Sequence, residues 1–354
     1  MMLQANQIKH TLKFKTPGGT SRGILTTKPS WLIKLYDDDN PKIAGIGECS
    51  IIPGLSFDDH PELETQLNTI LNKINHNHDI IGEELKQYPS IRFGLETAKL
   101  DLKSGGNKII YQSEFTDGLK GIPINGLIWM GSVDDMKSQI RVKLDQGYKC
   151  LKLKIGAINI NDELDLIKSI RKEFSENLLE LRVDANGAFT ENNVNQILEN
   201  LSNHQIHSIE QPIKQGQWHL MSELCRNTPI PIALDEELIG ISDFSQMNNL
   251  LQTIMPQYII IKPGLLGGFS ISDEWIKLAD KYQIGWWITS ALESNIGLNA
   301  IAQYTYTKHS NLYQGLGTGQ LFTNNFSSPL EIRNSSLYYN PDLNWDISFL
   351  ENVR

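Results

Sequence analysis

The stretch Cys150-Leu151-Lys152-Leu153-Lys154-Ile155-Gly156 decides the fold. Its period-2 alternation makes it a strand, with Leu151, Leu153 and Ile155 on one face and Lys152 and Lys154 on the other. Its neighbours in the chain are strongly apolar. Two ammonium groups in such a setting need a compensating anion, or one must lose its proton. A lysine whose pKa falls to roughly 7–8 is a usable general base. Taken alone, the stretch also reads as an edge strand with a wet face. The downstream chain decides against that.

After it the same pattern recurs: a short apolar strand, one or two polar residues at its end, then a helical stretch. Leu181-Arg-Val-Asp184-Ala-Asn186, His207-Ser-Ile-Glu210-Gln-Pro212 and Ile232-Ala-Leu-Asp235-Glu236 end in carboxylates. Tyr258-Ile-Ile-Ile-Lys262-Pro-Gly264 ends in a lysine, and Trp286-Trp-Ile-Thr-Ser290 in hydroxyls followed by Glu293. From Lys154 the steps are 30, 26, 25, 27 and 28 residues to Asp184, Glu210, Asp235, Lys262 and Ser290. That is one strand plus one crossover helix with its turns. A regular βα repeat predicts a parallel barrel, whose active-site residues sit at the strand ends. Three carboxylates flanked by lysines from other strands converge on one point. Hard oxygen ligands of that kind suit a divalent cation such as Mg²⁺.

The barrel is expected to start at Ile122-Pro-Ile-Asn125-Gly-Leu-Ile-Trp129 and to finish with a strand at Leu312-Tyr-Gln-Gly315. Helices are expected over about 132–146, 160–174, 190–203, 217–226, 241–251, 268–282 and 294–307. The fold class is α/β: a (β/α)7β modified TIM barrel without an eighth helix. Residues 1–118 break the repeat and predict an α+β capping domain. It has strands at Ile8–Phe14, Ser30–Tyr36 and Lys42–Glu48 in an antiparallel meander, then helices at Pro61–Asn75 and Ser90–Ser104. Pro17-Gly-Gly-Thr20-Ser21-Arg22-Gly23 reads as a mobile glycine-rich loop. The barrel is assigned to 119–320, and a tail, 321–354, is expected to pack back on the capping domain.

The chain has 354 residues and a net charge of −9, with no Lys/Arg cluster, which argues against a nucleic-acid partner. Cys49, Cys150 and Cys225 are scattered, with neither disulfide nor zinc spacing, as suits a reducing cytoplasm. No stretch approaches the roughly 18 apolar residues of a membrane span, and the first residues lack an apolar signal core, so no membrane partner is expected. The oligomeric state is left open.

Lys-x-Lys at 152–154, Asp184-Ala-Asn186, Ile209-Glu210-Gln-Pro212, Leu234-Asp235-Glu236 and Ile261-Lys262-Pro263 together resemble the enolase superfamily, in its muconate-lactonising branch. Gly47-Glu48 and Pro53-Gly54-Leu55-Ser56 extend the resemblance into the first domain. Thr289-Ser-Ala-Leu-Glu293-Ser-Asn-Ile-Gly297 and Gly315-Leu-Gly-Thr318 are similar to the o-succinylbenzoate synthase family, which dehydrates a succinyl-hydroxycyclohexadiene carboxylate in menaquinone synthesis. The dipeptide epimerases of this branch carry Asp-x-Asp after the last strand. Here Gly315-Leu-Gly-Thr318 has no acid, which speaks against a substrate with a cationic tail.

The resemblance implies a lyase, and further roles. Abstracting a proton beside a carboxylate gives a dianionic enediolate, which needs a Lewis acid. Asp184, Glu210 and Asp235 would hold Mg²⁺, or Mn²⁺ in its place. Asp235 is preferred to Glu236 by the family pattern. Lys154 would be the base and Lys262 the opposing cation. Lys152 and Asn186 would serve the substrate, a small dicarboxylate. Its succinyl tail would meet Arg22, Thr20, Ser290 and the backbone at Gly315. Glu293 is expected to order a loop, and His207 and the Trp286-Trp287 pair to pack. The alternatives are an N-succinylamino-acid racemase or another muconate-lactonising-type enzyme, and a non-catalytic barrel with a structural metal.

Overall fold

The computed structural model describes residues 2–20, 23–78, 80 and 82–348. In the first domain β1 (Leu3–Lys9), β4 (Ser30–Asp37) and β5 (Asn40–Ser50) form an antiparallel sheet in the order β1-β4-β5. β2 (Leu12–Thr20) and β3 (Gly23–Lys28) form a separate hairpin. Two expectations are corrected here. The strand expected at Ile8–Phe14 breaks at His10-Thr11, where the chain leaves one sheet for the other. The glycine-rich stretch is not a loose loop, because pairing continues to Thr20 opposite Gly23. Contact across domains explains it. Gly19 bridges Met130, and a Cβ on Gly18 would lie 3.1 Å from the Trp129 ring, so the two glycines permit a flat approach to the barrel. Ser21 and Arg22 lie outside the described residues.

Helices α1 (Leu63–Asn75) and α2 (Pro89–Lys103) pack Leu67, Ile70, Ile91 and Leu95 against Ile33 and Leu35 of the sheet. β5 carries Gly45 and Gly47 where α2 crosses it; a Cβ at Gly47 would overlap the carbonyl of Gly94. The helix can therefore lie directly on the strand backbone.

The barrel strands are β7 (Gly126–Ile128), β8 (Cys150–Lys154), β9 (Glu180–Asp184), β10 (Ser208–Glu210), β11 (Ile232–Leu234), β12 (Tyr258–Ile261) and β13 (Gly285–Ile288). They pair in sequence order, all parallel. The crossovers are α3 (Val133–Asp145), α4 (Ile160–Glu173), α5 (Val194–Ser202), α6 (Trp218–Asn227), α7 (Phe244–Ile254), α9 (Phe269–Lys281) and α10 (Asn295–Thr307). One further turn of helix, α8 (Pro263–Leu266), follows β12 directly. Their apolar faces meet the outward residues of the strands, such as Leu151, Leu153, Leu181, Val183 and Ile209, in one large core. The three cysteines are free and buried. Among the described residues no helix is long and apolar enough to cross a membrane.

The expected first and last barrel strands are only partly regular. Ile122–Pro123 is a separate strand, β6, which pairs antiparallel with β15 (Ser336–Tyr339) of the tail hairpin formed with β14 (Leu330–Arg333). Residues 312–315 form no ladder strand. Two isolated parallel bridges, Ile124 to Gln314 and Thr289 to Gly315, close the barrel. The Gln314 side chain substitutes for part of the missing ladder, accepting the Ile288 N–H at 2.8 Å. The tail divides its contacts. Phe322 bridges Phe14, and Asn324 Oδ1 accepts the Lys13 N–H at 2.8 Å, whereas the β14–β15 hairpin forms a separate small sheet with β6.

Two carboxylates of the first domain cap barrel helices. Glu96 accepts the N–H groups of Phe269 at 2.5 Å and Ser270 at 3.0 Å, at the start of α9. Glu48 accepts those of Ser294 and Gly297, both at 3.0 Å, at the start of α10. An anion at a helix N-terminus meets both free donors and the favourable end of the dipole. These contacts seat the capping domain over the C-terminal ends of the strands.

Candidate active site

Strand parity aims Lys152, Lys154, Asp184 and Glu210 into the barrel. Lys154 lies opposite Asp184 in the β8–β9 register, and Asp184 opposite Glu210 in β9–β10. Asp235 and Lys262 follow β11 and β12 by one residue. All six side chains are buried. Lys154 Nζ donates to Asp184 Oδ2 at 2.6 Å and to Asn186 Oδ1 at 2.7 Å. Lys152 Nζ donates to Asp184 Oδ2 at 3.0 Å and to Glu210 Oε1 and Oε2 at 3.1 and 2.9 Å. Lys262 Nζ donates to Asp235 Oδ2 and lies 3.8 Å from Glu210 Oε1.

Three carboxylates thus face three ammonium groups in a buried site. Burial depresses the Lys154 pKa, more than the Asp184 charge restores it. Burial also opposes the charge on Lys152, but Asp184, Glu210 and Asp235 outweigh it and raise its pKa. Lys262 is raised likewise, burial being outweighed by Asp235 and Glu210. Burial disfavours the Asp184 charge, yet the three lysines hold its carboxyl below the usual range. Burial and the Asp184 charge push Glu210 upwards. So the two lysines of the Lys-x-Lys strand move in opposite directions, and Lys154 moves in the direction a base requires.

Among the described residues, no three acidic, histidine or cysteine side chains are disposed to hold a metal ion as they stand. The reason is visible in the contacts. The Lys152 ammonium touches oxygens of both Asp184 and Glu210 and so stands in for a cation, as Lys262 does at Asp235. The donor set itself fits a hard divalent ion: carboxylate oxygens only, on three adjacent strands.

The cavity beside the cluster is lined by Lys152, Lys154, Asn186 and Lys262 on its polar floor. Its walls are Leu25, Ile52 and Leu55 from the capping domain and Leu127, Trp129, Ala291 and Leu292 from the barrel. Asn125, Thr289, Ser290, Gly315, Gly317 and Thr318 complete it. Apolar walls over a cationic floor suit a largely apolar ligand bearing anionic groups.

Most of the expected site residues are therefore gathered at one place. Asn186 joins Lys154 to Glu236, its Nδ2 donating to Glu236 Oε1 at 3.0 Å. Gly315 lines the cavity, but its N–H is taken by Ile288 O at 2.8 Å, so its backbone has no proton left for a ligand. Ser290 also lines it, with Oγ 2.7 Å from Glu293 Oε2 and 2.8 Å from Thr318 Oγ1. Thr20 is the last residue of β2, and Arg22 lies outside the described residues. His207, partly buried just before β10, packs against Trp287 with ring centroids 6.3 Å apart.

Several contributors carry no signal in the sequence. Trp129, Leu25 and Ile52 look like ordinary core residues. Lys28 ends an unremarkable strand, yet it is only 2% exposed, and its Nζ donates to Ser50 Oγ at 2.5 Å. Thr318 belongs to the Gly315-Leu-Gly-Thr318 motif, but nothing in the sequence gives it a role of its own.

The sequence pattern of the family described as enolase C-terminal domain-like matches residues 135–341. An o-succinylbenzoate synthase of Desulfotalea psychrophila is 47% identical over 352 aligned residues, covering 91% of this chain and 95% of its own. One from Vibrio cholerae is 26% identical, covering 88% of each. The crystal structure of MenC from Desulfotalea psychrophila LSv54 superposes with a TM-score of 0.85 at 43% identity, covering 96% of this chain and 100% of that one. Muconate lactonizing enzyme from Pseudomonas fluorescens, complexed with muconolactone, superposes with a TM-score of 0.82 at 21% identity over 99% and 98%, a likeness of fold alone.

Proposed function

Since the chain belongs to the enolase C-terminal domain-like family, we propose that it is an o-succinylbenzoate synthase. It dehydrates 2-succinyl-6-hydroxy-2,4-cyclohexadiene-1-carboxylate to 2-succinylbenzoate, a carbon–oxygen lyase step of menaquinone synthesis. The observation that carries this reading is the placement of Lys154 and Lys262. They enter one cavity from the second and sixth strands of the barrel, with three buried carboxylates on the strands between them.

Neutral Lys154 takes the proton beside the ring carboxylate, and its depressed pKa supports that role. The resulting ammonium returns the proton to the hydroxyl as the C–O bond breaks. One C–H and one C–O bond are lost, water leaves and the ring becomes aromatic. A single base suffices because both groups leave from one face. Lys262, held protonated by Asp235, sets a positive charge on the opposite face. Asp184, Glu210 and Asp235 would hold Mg²⁺, which when bound supplies Lewis-acid neutralisation of the charge building on the substrate carboxylate. Lys152 adds a cation on that side, and Leu25, Ile52, Leu55 and Trp129 exclude water from the ring.

The test is loss of diene absorbance on adding the purified protein and Mg²⁺. No loss of absorbance, with racemisation of an N-succinylamino acid in its place, would transfer the assignment to the racemase.

A further inference from the structure

Behind the cavity wall formed by Ser290 and Thr318 lies a second buried charge cluster, separate from the carboxylates at the strand ends. It contains Lys28 on β3, Glu48 on β5 and Glu293 before α10, all buried. These three are the charged groups that bear on one another there. Two carboxyl groups share at most one positive charge.

Hydrogen bonding decides which of them is ionised. Each oxygen of Glu48 accepts two hydrogen bonds. Oε1 accepts from Ser30 Oγ at 2.6 Å and Ser294 N at 3.0 Å; Oε2 accepts from Ser294 Oγ at 2.5 Å and Gly297 N at 3.0 Å. Four donors saturate a carboxylate and leave no place for a proton. Glu293 is the opposite case. It is 0% exposed, Oε1 has no partner, and Oε2 faces one hydroxyl, that of Ser290, at 2.7 Å. Lys28 is the cation that bears on it, but it bears on Glu48 as well and burial lowers its own pKa, so a second buried anion there would be poorly compensated and costly.

Ser290 Oγ has three partners: Glu293 Oε2, Thr318 Oγ1 at 2.8 Å and the Leu292 N–H at 3.1 Å. A hydroxyl has one proton and two lone pairs, so Ser290 has nothing left for a ligand. Were Glu293 ionised, Ser290 would donate to it and Thr318 to Ser290. Thr318 would then offer the cavity lone pairs alone and repel a carboxylate. With Glu293 neutral the chain runs the other way. Its O–H donates to Ser290, Ser290 donates to Thr318, and the Thr318 proton is free to enter the cavity.

We propose that Glu293 is a neutral carboxylic acid that orients the Ser290–Thr318 hydroxyl pair, so that Thr318 donates directly to the second carboxylate of the substrate. Thr318 is thus a specificity-determining residue for a dianionic ligand, and Glu293 a positioning residue acting through it. This rests on the reading of a dicarboxylate substrate. Burial, which raises the Glu293 pKa, agrees with it.

Two measurements test the proposal. Infrared difference spectra of the wild-type protein and Glu293→Gln at neutral pH are expected to show a protonated-carboxyl C=O band that the variant lacks. A carboxylate band lost instead would overturn the proposal, and this arm needs no turnover, so it stands even if the enzyme acts on another substrate. Calorimetric binding of 2-succinylbenzoate, and KM for the diene, are expected to weaken about tenfold in Thr318→Val, with kcat less changed and Thr318→Ser largely restoring both. Binding of benzoate, which lacks the tail, is expected to be unaffected. Glu293→Met is expected to weaken binding alone but to add nothing in the Thr318→Val background. Unchanged affinity in Thr318→Val, or additive losses in the double variant, would overturn it.

Discussion

Lys152 Nζ lies 2.9 Å from Glu210 Oε2, across the intervening strand β9. The lysine therefore lies among the acidic groups rather than facing the cavity alone. A divalent ion held by Asp184, Glu210 and Asp235, as proposed, would meet this ammonium at the same oxygens. Excess EDTA is expected to abolish dehydration, and Mg²⁺ or Mn²⁺ to restore it. Asp184→Asn, Glu210→Gln and Asp235→Asn should each lower kcat by about 10³-fold, the scale of losing a main electrostatic stabiliser. Full activity in the chelator, followed by diene absorbance, would remove the metal from the reading.

The tasks proposed for Lys154 and Lys262 are unequal. Lys154→Ala should cost about 10³-fold or more in kcat, as loss of a general base does. Lys262→Ala should cost a comparable amount. Lys262→Arg should retain more activity than Lys154→Arg, because guanidinium can replace a cation but not a base near neutral pH. Steady-state rates of the four variants decide the matter; equal losses in both arginine variants would count against unequal roles.

The β2–β3 hairpin forms part of the cavity wall through Leu25 and docks on the barrel through Gly19. A Cβ at Gly19 would sit 2.5 Å from Met130 O. Gly19→Ala is expected to raise KM about tenfold, equivalent to about 1.4 kcal/mol, by undocking the hairpin. Arg22→Ala, between Thr20 and Gly23 in the sequence, should raise KM with a smaller fall in kcat and a nearly unchanged Tm. Unaltered kinetics with a lowered Tm in Arg22→Ala would make that arginine structural.

Glu163 on α4 accepts the Gly156 N–H at 2.8 Å, beside the strand that carries Lys154. Burial raises its carboxyl from 4.5 to about 7, against the pull of the backbone donors. The folded chain thus binds more protons than the unfolded chain between those values. The stability this contributes is complete below the unfolded pKa and is lost as pH rises through about 7. Between pH 5 and pH 8, urea denaturation should show a larger fall in stability for the wild type than for Glu163→Gln. Parallel pH profiles would refute the shifted carboxyl.

The barrel and its six charged residues are legible in the sequence because five of them end apolar strands, Lys152 alternates onto the same face as Lys154, and the strands are spaced by one crossover helix. Both signals are local. What escapes is set by distant contacts. Lys28 ends the strand Gly-Ile-Leu-Thr-Thr-Lys, whose composition suggests a surface. Its burial depends on Glu48 and Glu293, and Glu48 in turn meets Ser294 across 246 residues. Leu312–Gly315 has the composition of a strand, yet the Gln314 amide takes over part of the ladder. Glycines at 17–23 suggest freedom until Trp129 and Met130 are seen beneath them.

The docking of Phe322 and Asn324 on β2 has a consequence for the order of events during synthesis. The contact between Lys13 and Asn324 spans 311 residues. Lys15 N–H also donates to Leu321 O, and Thr323 N–H to Lys13 O, both at 2.8 Å. The hairpin that walls the cavity is thus held by chain the ribosome makes only after the barrel strands. The βα units can condense one after another through short-range contacts as they emerge, but the hairpin must wait. A nascent chain halted before residue 321 would carry all six charged residues of the site and leave them open to water. Competence for catalysis arrives as a late step, separate in time from the assembly of the chemical groups.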